Sequence, residues 1–137
     1  MKRKKSNDLF RLIPYITFIM GVGMIIGGLW GAIFTYSNVV RENINTPDDA
    51  TIPNALVSGP LTLKSQADVI RHHTLETTEN RTYAEMSRDE DRSIWIIATT
   101  LMTALNLAIL AYAISALSIS LGIFLILSGL VFRKVLS

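Results

Sequence analysis

The chain has no cysteine, which excludes a disulfide framework, a thiolate metal site, a cysteine nucleophile and a lipid-modified cysteine. Charge is also scarce: 18% of the 137 residues are charged, where soluble domains carry about 25%. It is missing altogether from residues 94–132, and an earlier apolar run, 9–36, is broken only by Arg11. No Asp, Glu, Lys, Arg or His falls within 12–36 or 94–132. Ion-coupled transport, proton relays and voltage sensing place ionisable groups at membrane depth, so these functions are disfavoured. There is no G-x-S-x-G nucleophile elbow and no glycine-rich phosphate loop. The polar remainder, 37–93, is too short for most catalytic domains.

Hydrophobic residues make up 50% of the chain and mean hydropathy is +0.38. Both apolar runs exceed the roughly 20 residues that cross a bilayer as a helix. The first expectation is therefore an all-α membrane protein in contact with lipid. Lys2, Arg3, Lys4, Lys5 and Arg11 precede the first run, and Arg133 and Lys134 follow the second. Between them, 37–93 carries ten acids against six basic residues, a net charge of −4. Basic flanks stay on the cytoplasmic side. This predicts a multi-pass protein of the plasma (inner) membrane with a cytoplasmic N-terminus and an extracytoplasmic middle. The basic cluster is a topology signal rather than a nucleic-acid site. The first run is about twice the usual length of a signal-peptide core and no small-x-small site follows it, so it reads as an uncleaved anchor.

In chain order, residues 1–12 form the basic cytoplasmic N-terminus and 13–36 the first transmembrane helix, with Pro14 in its first turns. Gly23, Gly27 and Gly31 recur every four residues on one face, a doubled GxxxG that permits close approach of another helix. The extracytoplasmic segment is 37–87, irregular up to Pro60. Near 61–77 a short amphipathic helix carries Leu63, Ala67, Ile70 and Thr74 as a stripe. Ser87-Arg88-Asp89-Glu90 has the form of a capping box, Ser87 as N-cap and Glu90 reaching back, which starts a long helix over 88–136. With Arg133 and Lys134 cytoplasmic, this helix is membrane-embedded over about 107–132 and its first part projects outward. The alternative is three spans, with a C-terminal hairpin of 94–112 and 115–132, but no turn residues separate them. Ala108, Ala111, Ser115, Ser118 and Gly122, with Ala104 and Gly129, form a small-residue seam that could receive the glycine face or a copy of itself.

His72 and His73, near Glu76 and Glu79, are the only candidate metal ligands. Adjacent residues point about 100° apart on a helix, and a catalytic metal needs three protein ligands. Neither metal nor cofactor is expected, and a polar or pH-sensing role is the alternative for the pair.

Gly59-Pro60-Leu61-Thr62, Ala67-Asp68-Val69-Ile70, Arg81-Thr82-Tyr83-Ala84-Glu85-Met86 and Arg88-Asp89 resemble a group of small bacterial membrane proteins. These are best known from actinobacteria and often carry the label aromatic ring-opening dioxygenase. The resemblance implies two spans with an outer segment. It implies no reaction, because a non-haem iron dioxygenase needs a His/carboxylate ligand set, and the two histidines here are adjacent on one helix. The function expected is therefore non-enzymatic: an interaction or accessory subunit that binds another membrane protein or itself. The competing expectation is an extracytoplasmic ligand-sensing or small-molecule-binding protein.

Overall fold

The computed structural model describes residues 2–136, with side chains over 12–135. The side chains of Lys2, Arg3, Lys4, Lys5 and Arg11 lie outside those described. Among the described residues three helices form: α1 (Lys2–Arg41), α2 (Pro60–Thr77) and α3 (Ser93–Leu136). Among the described residues there is no strand, and one isolated bridge pairs Asn45 with Leu56. Within α1 and α3, Leu12–Arg41 and Ser93–Val135 are long and apolar enough to cross a membrane.

Several boundaries differ from expectation. α1 starts at Lys2, so Pro14 lies inside the helix rather than in its first turns and deprives it of one backbone hydrogen bond. At the other end α1 runs past Tyr36 to Arg41, because no Gly or Pro intervenes and the Asn38 amide donates back to the Phe34 carbonyl at 2.8 Å. Asn43, at φ 49°, then reverses the chain. α3 is one unbroken helix, so the hairpin over 94–132 does not form; no Gly or Pro occurs between Arg88 and Leu121 to turn it.

The chain divides into two compact units, one of Met1–Ile33 with Ala113–Ser137, the other Phe34–Tyr112. In the first, α1 and α3 run antiparallel through a seam of small residues. The buried residues of α1 here are Pro14, Gly21 and Gly28, and those of α3 are Ser115, Gly122 and Gly129. A methyl group added at Gly21 would sit 2.7 Å from the Gly122 carbonyl oxygen, and one at Gly28 2.7 Å from that of Ser115. One at Gly129 would sit 3.0 Å from the Pro14 carbonyl oxygen. Seven residues forward in α1 thus match seven backward in α3. A sustained seven-residue repeat is the register of a left-handed helix pair. The Ser118 hydroxyl adds a hydrogen bond to the Met24 carbonyl at 2.9 Å.

In Phe34–Tyr112 the loop before α2 is ordered by one side chain. Thr46, 2% exposed, donates its hydroxyl to the Ile52 carbonyl at 2.5 Å and accepts the Ala55 N–H at 3.0 Å. The Ser65 hydroxyl of α2 accepts the Ile52 N–H at 2.9 Å. α2 opens with Pro60 at its first position, where the missing N–H costs nothing. The Thr62 hydroxyl accepts the N–H groups of Ser58 and Gly59. Leu63, Ala67 and Thr74 are buried, and Ile70 is half-buried.

Candidate functional site

α2, the end of α1, the intervening loop and the first part of α3 line a half-open cavity of about 490 Å³ within Phe34–Tyr112. Its walls are aliphatic: Val39 from α1, Val57 from the loop, Leu63 and Ile70 from α2, Leu105 from α3. Ala104 and Ala108 leave room on the α3 side. Three polar residues reach it, Asn38, Glu42 and Gln66. The Oε1 of Gln66 is shut off from solvent and has no hydrogen-bond partner. An unsatisfied buried acceptor of this kind costs about 1–3 kcal/mol. Leu63, Gln66 and Ile70 occupy positions i, i+3 and i+7 of α2. A glutamine within an otherwise apolar stripe is the sequence signal by which this site could have been found. Asn38 and Glu42 gave none, because that stretch reads as irregular chain.

Polar contacts fix the surrounding elements. The Tyr112 hydroxyl donates to the Ser58 carbonyl at 2.7 Å, tying α3 to the entry of α2. The Trp95 indole, 4% exposed, donates to the Arg81 carbonyl at 3.0 Å and the Thr78 hydroxyl at 3.3 Å, just beyond the C-terminus of α2. Ile96, by contrast, is 58% exposed and does not join this packing. Along α3 a shallower hollow is lined by Tyr83, Trp95, Thr99 and Thr103.

The capping box does not form. Arg81 takes Glu90, its Nη1 donating to both carboxylate oxygens at 2.9 Å, and this contact holds the guanidinium above its ordinary range. Arg92 donates to the carbonyls of Met86 and Ser87 and lies over the Tyr83 ring. With 86–92 folded into this turn, α3 begins at Ser93 instead of Arg88. The carboxylate of Asp91, not Ser87, takes a first-turn donor, the Ser93 N–H at 2.9 Å, which lowers its pKa. Glu85 is lowered likewise by the N–H and hydroxyl of Thr82.

His72 and His73 turn to different carboxylates. His72 meets Glu76 at 3.3 Å along α2, and His73 meets Asp49 of the loop at 2.6 Å. The hydrogen bond from His73 leads the causes that lower the Asp49 pKa. Two divergent pairs of this kind do not converge on one ion.

The small residues separate into two sets. Ser115, Ser118 and Gly122 meet α1 in the helix pair, but through Gly21, Met24, Gly28 and Gly31. Of the three glycines expected to pack, only Gly31 does, its added methyl falling 2.9 Å from the Ser115 hydroxyl; Gly23 and Gly27 have nothing within 4 Å. The four-residue repeat was the wrong one for this partner, since α3 offers small residues every seven. Ala108 lines the cavity, and Ala111 is half-buried. Set against known protein families, curated proteins and solved structures, the chain matches none of them.

Proposed function

We propose that this chain is a two-span integral protein of the plasma (inner) membrane, without catalytic activity, acting as an interaction or accessory subunit. Its termini are cytoplasmic and its middle segment is extracytoplasmic, with the first part of α3 projecting outward. The observation that carries the membrane reading is the uncovered apolar surface. Only 17% and 11% of the most apolar windows of α1 and α3 are buried, with Ile19, Trp30, Ile33, Phe124 and Val131 among the exposed side chains. Apolar faces this large require lipid or another chain. Residues 12–33 and 113–135 are each about 33–35 Å of helix, close to a bilayer core of about 30 Å. The hydroxyls of Thr17, Ser120 and Ser128 donate to carbonyls four residues back, the internal satisfaction that lipid demands. Gly23 and Gly27, open on α1, leave a face for another membrane protein or a second copy. The resemblance of Gly59-Pro60-Leu61-Thr62 and its neighbours to small bacterial membrane proteins agrees with two spans and carries no reaction.

Single cysteines at Ser6, Asn54 and Ser137 test the topology in this cysteine-free chain. An impermeant maleimide applied to intact cells is expected to label position 54 alone. Labelling at 137 would overturn the two-span reading.

A second reading, a small-molecule-binding or ligand-sensing segment, is favoured by the cavity beside α2.

A further inference from the structure

We infer that the groove between α1 and α3 beside Pro14 and Gly129 binds an anionic phospholipid, one acyl chain lying in the groove and the phosphate at Arg133. The inference rests on the two-span reading above and names a lipid partner for it. The groove lies within Met1–Ile33 with Ala113–Ser137, and is lined by Pro14, Tyr15 and Phe18 of α1 and by Gly129, Leu130 and Arg133 of α3. Pro14 and Gly129 are buried, and the exposed side chains of Tyr15, Phe18 and Leu130 stand beside them. The helices cannot close further there, because a methyl group at Gly129 would already lie 3.0 Å from the Pro14 carbonyl oxygen. At about 210 Å³ the groove is smaller than the roughly 300–1,000 Å³ of sites that take a whole small molecule. It suits a length of one alkyl chain, with the rest of the lipid left in the bilayer.

Depth and charge select the head group. Tyr15 is three residues inside the apolar stretch that begins at Leu12, and Arg133 is two residues from the end of the one that closes at Val135. Both therefore sit at the level where aromatic rings and basic side chains meet lipid head groups. Neither the Arg133 guanidinium nor the Tyr15 hydroxyl makes a hydrogen bond or ion pair with another described residue. A guanidinium only donates, so what it takes is an acceptor such as a phosphate oxygen. No Asp or Glu lines the groove. None occurs in α1 after Asp8 or anywhere in α3. A zwitterionic head would bring its own ammonium beside Arg133, with no carboxylate on either helix to receive it. An anionic head brings no such cation, and basic pockets between membrane helices favour it for that reason.

The test uses the full chain in nanodiscs of mixed phosphatidylcholine and phosphatidylglycerol, with a diazirine on the acyl chain of one lipid or the other. Labelled residues are mapped by mass spectrometry. Ile16, exposed and turned about 100° from Tyr15 on α1, reports the surrounding lipid at the same depth. Referred to Ile16, the phosphatidylglycerol probe is expected to label Phe18 or Leu130 about fivefold more than the phosphatidylcholine probe, the worth of one cation near a head group. Arg133→Gln should bring the two probes level, and Arg133→Lys, which keeps the charge, should retain the excess. Glycerol phosphate in solution, a head without chains, should not compete. If Ile16 shows the same excess, or the excess survives Arg133→Gln, the basic end of the chain merely gathers anionic lipid; the site is then overturned and the two-span reading stands. If glycerol phosphate abolishes the excess, Arg133 holds a soluble phosphate ester and the lipid inference is overturned. A chain that does not enter nanodiscs of either composition would remove the two-span reading itself.

Discussion

Between α1 and α3 in Met1–Ile33 with Ala113–Ser137, contact is made where side chains are missing, through Gly21, Gly28, Gly122 and Gly129 against opposing backbone. In Phe34–Tyr112 contact is made by side chains that complete the backbone: Thr46, Ser65, Trp95 and Tyr112 each bond a main-chain group of another stretch. The first arrangement gains from dispersion between closely approaching helices and needs no directed bond. The second needs directed bonds, because its loops carry backbone groups that no helix satisfies. Sensitivity to mutation should differ accordingly, with added bulk damaging one region and lost hydroxyls the other.

The largest effect is expected from bulk in the seam. A Cβ at Gly28 would lie 2.7 Å from both the Ser115 carbonyl oxygen and Ile119 Cγ1, and backbone there cannot step aside. Gly28→Val should lower helix-pair stability by about 1–3 kcal/mol or more, as overpacking does. Gly27→Val, one residue away and with nothing within 4 Å, should leave thermal unfolding in dodecylmaltoside unchanged. Equal damage from both would contradict the seven-residue register. Loss of a dimer in Gly27→Val, with unfolding unchanged, would put a second copy on the open face.

An effect of similar kind but more local extent is expected from a lost hydroxyl. Thr46→Val keeps the shape of the side chain and removes the partner of the Ala55 N–H and the donor to the Ile52 carbonyl. At a site 2% exposed this should cost about 1–3 kcal/mol. Hydrogen exchange should rise at residues 52–57 and stay unchanged in 115–129. Exchange that rises in both places would erase the distinction between the regions.

The two regions were unequally legible in the sequence. Apolar runs longer than a bilayer is thick announce α1 and α3, and Pro60 with the stripe Leu63, Ala67, Ile70 and Thr74 announces α2. The packing face of α1 was misread because Gly23, Gly27 and Gly31 form the more familiar pattern. Gly21 and Gly28 become significant only when set against Ser115, Gly122 and Gly129 on the partner helix. Ser87 and Glu90 satisfy a local rule that Arg81 overrides, since a charge-assisted contact with its guanidinium is worth more to Glu90 than one exposed backbone N–H. The cavity draws its walls from four stretches of chain, and the work of Thr46 depends on a loop closing around its hydroxyl. Neither is written in any one segment.

The smallest effect concerns the tie between the loop and α2. Asp49 meets His73 at 2.6 Å with both side chains about half exposed, and the His73 hydrogen bond holds the Asp49 carboxyl below its ordinary value of 3.8. A carboxyl depressed in the folded state stabilises that state above its unfolded pKa, and the contribution is lost as pH falls through the folded value. The window therefore lies below about pH 4, not near neutrality. Solvent and salt screen an exposed pair, so overall stability should barely register it. Carboxyl-carbon NMR of Asp49 can detect it directly. In the wild type Asp49 should titrate below 3.8, and in His73→Gln it should move back up toward that value. An Asp49 that titrates identically in both proteins would remove this contact from the account of how the loop is held, and leave Thr46 and Ser65 to hold it alone.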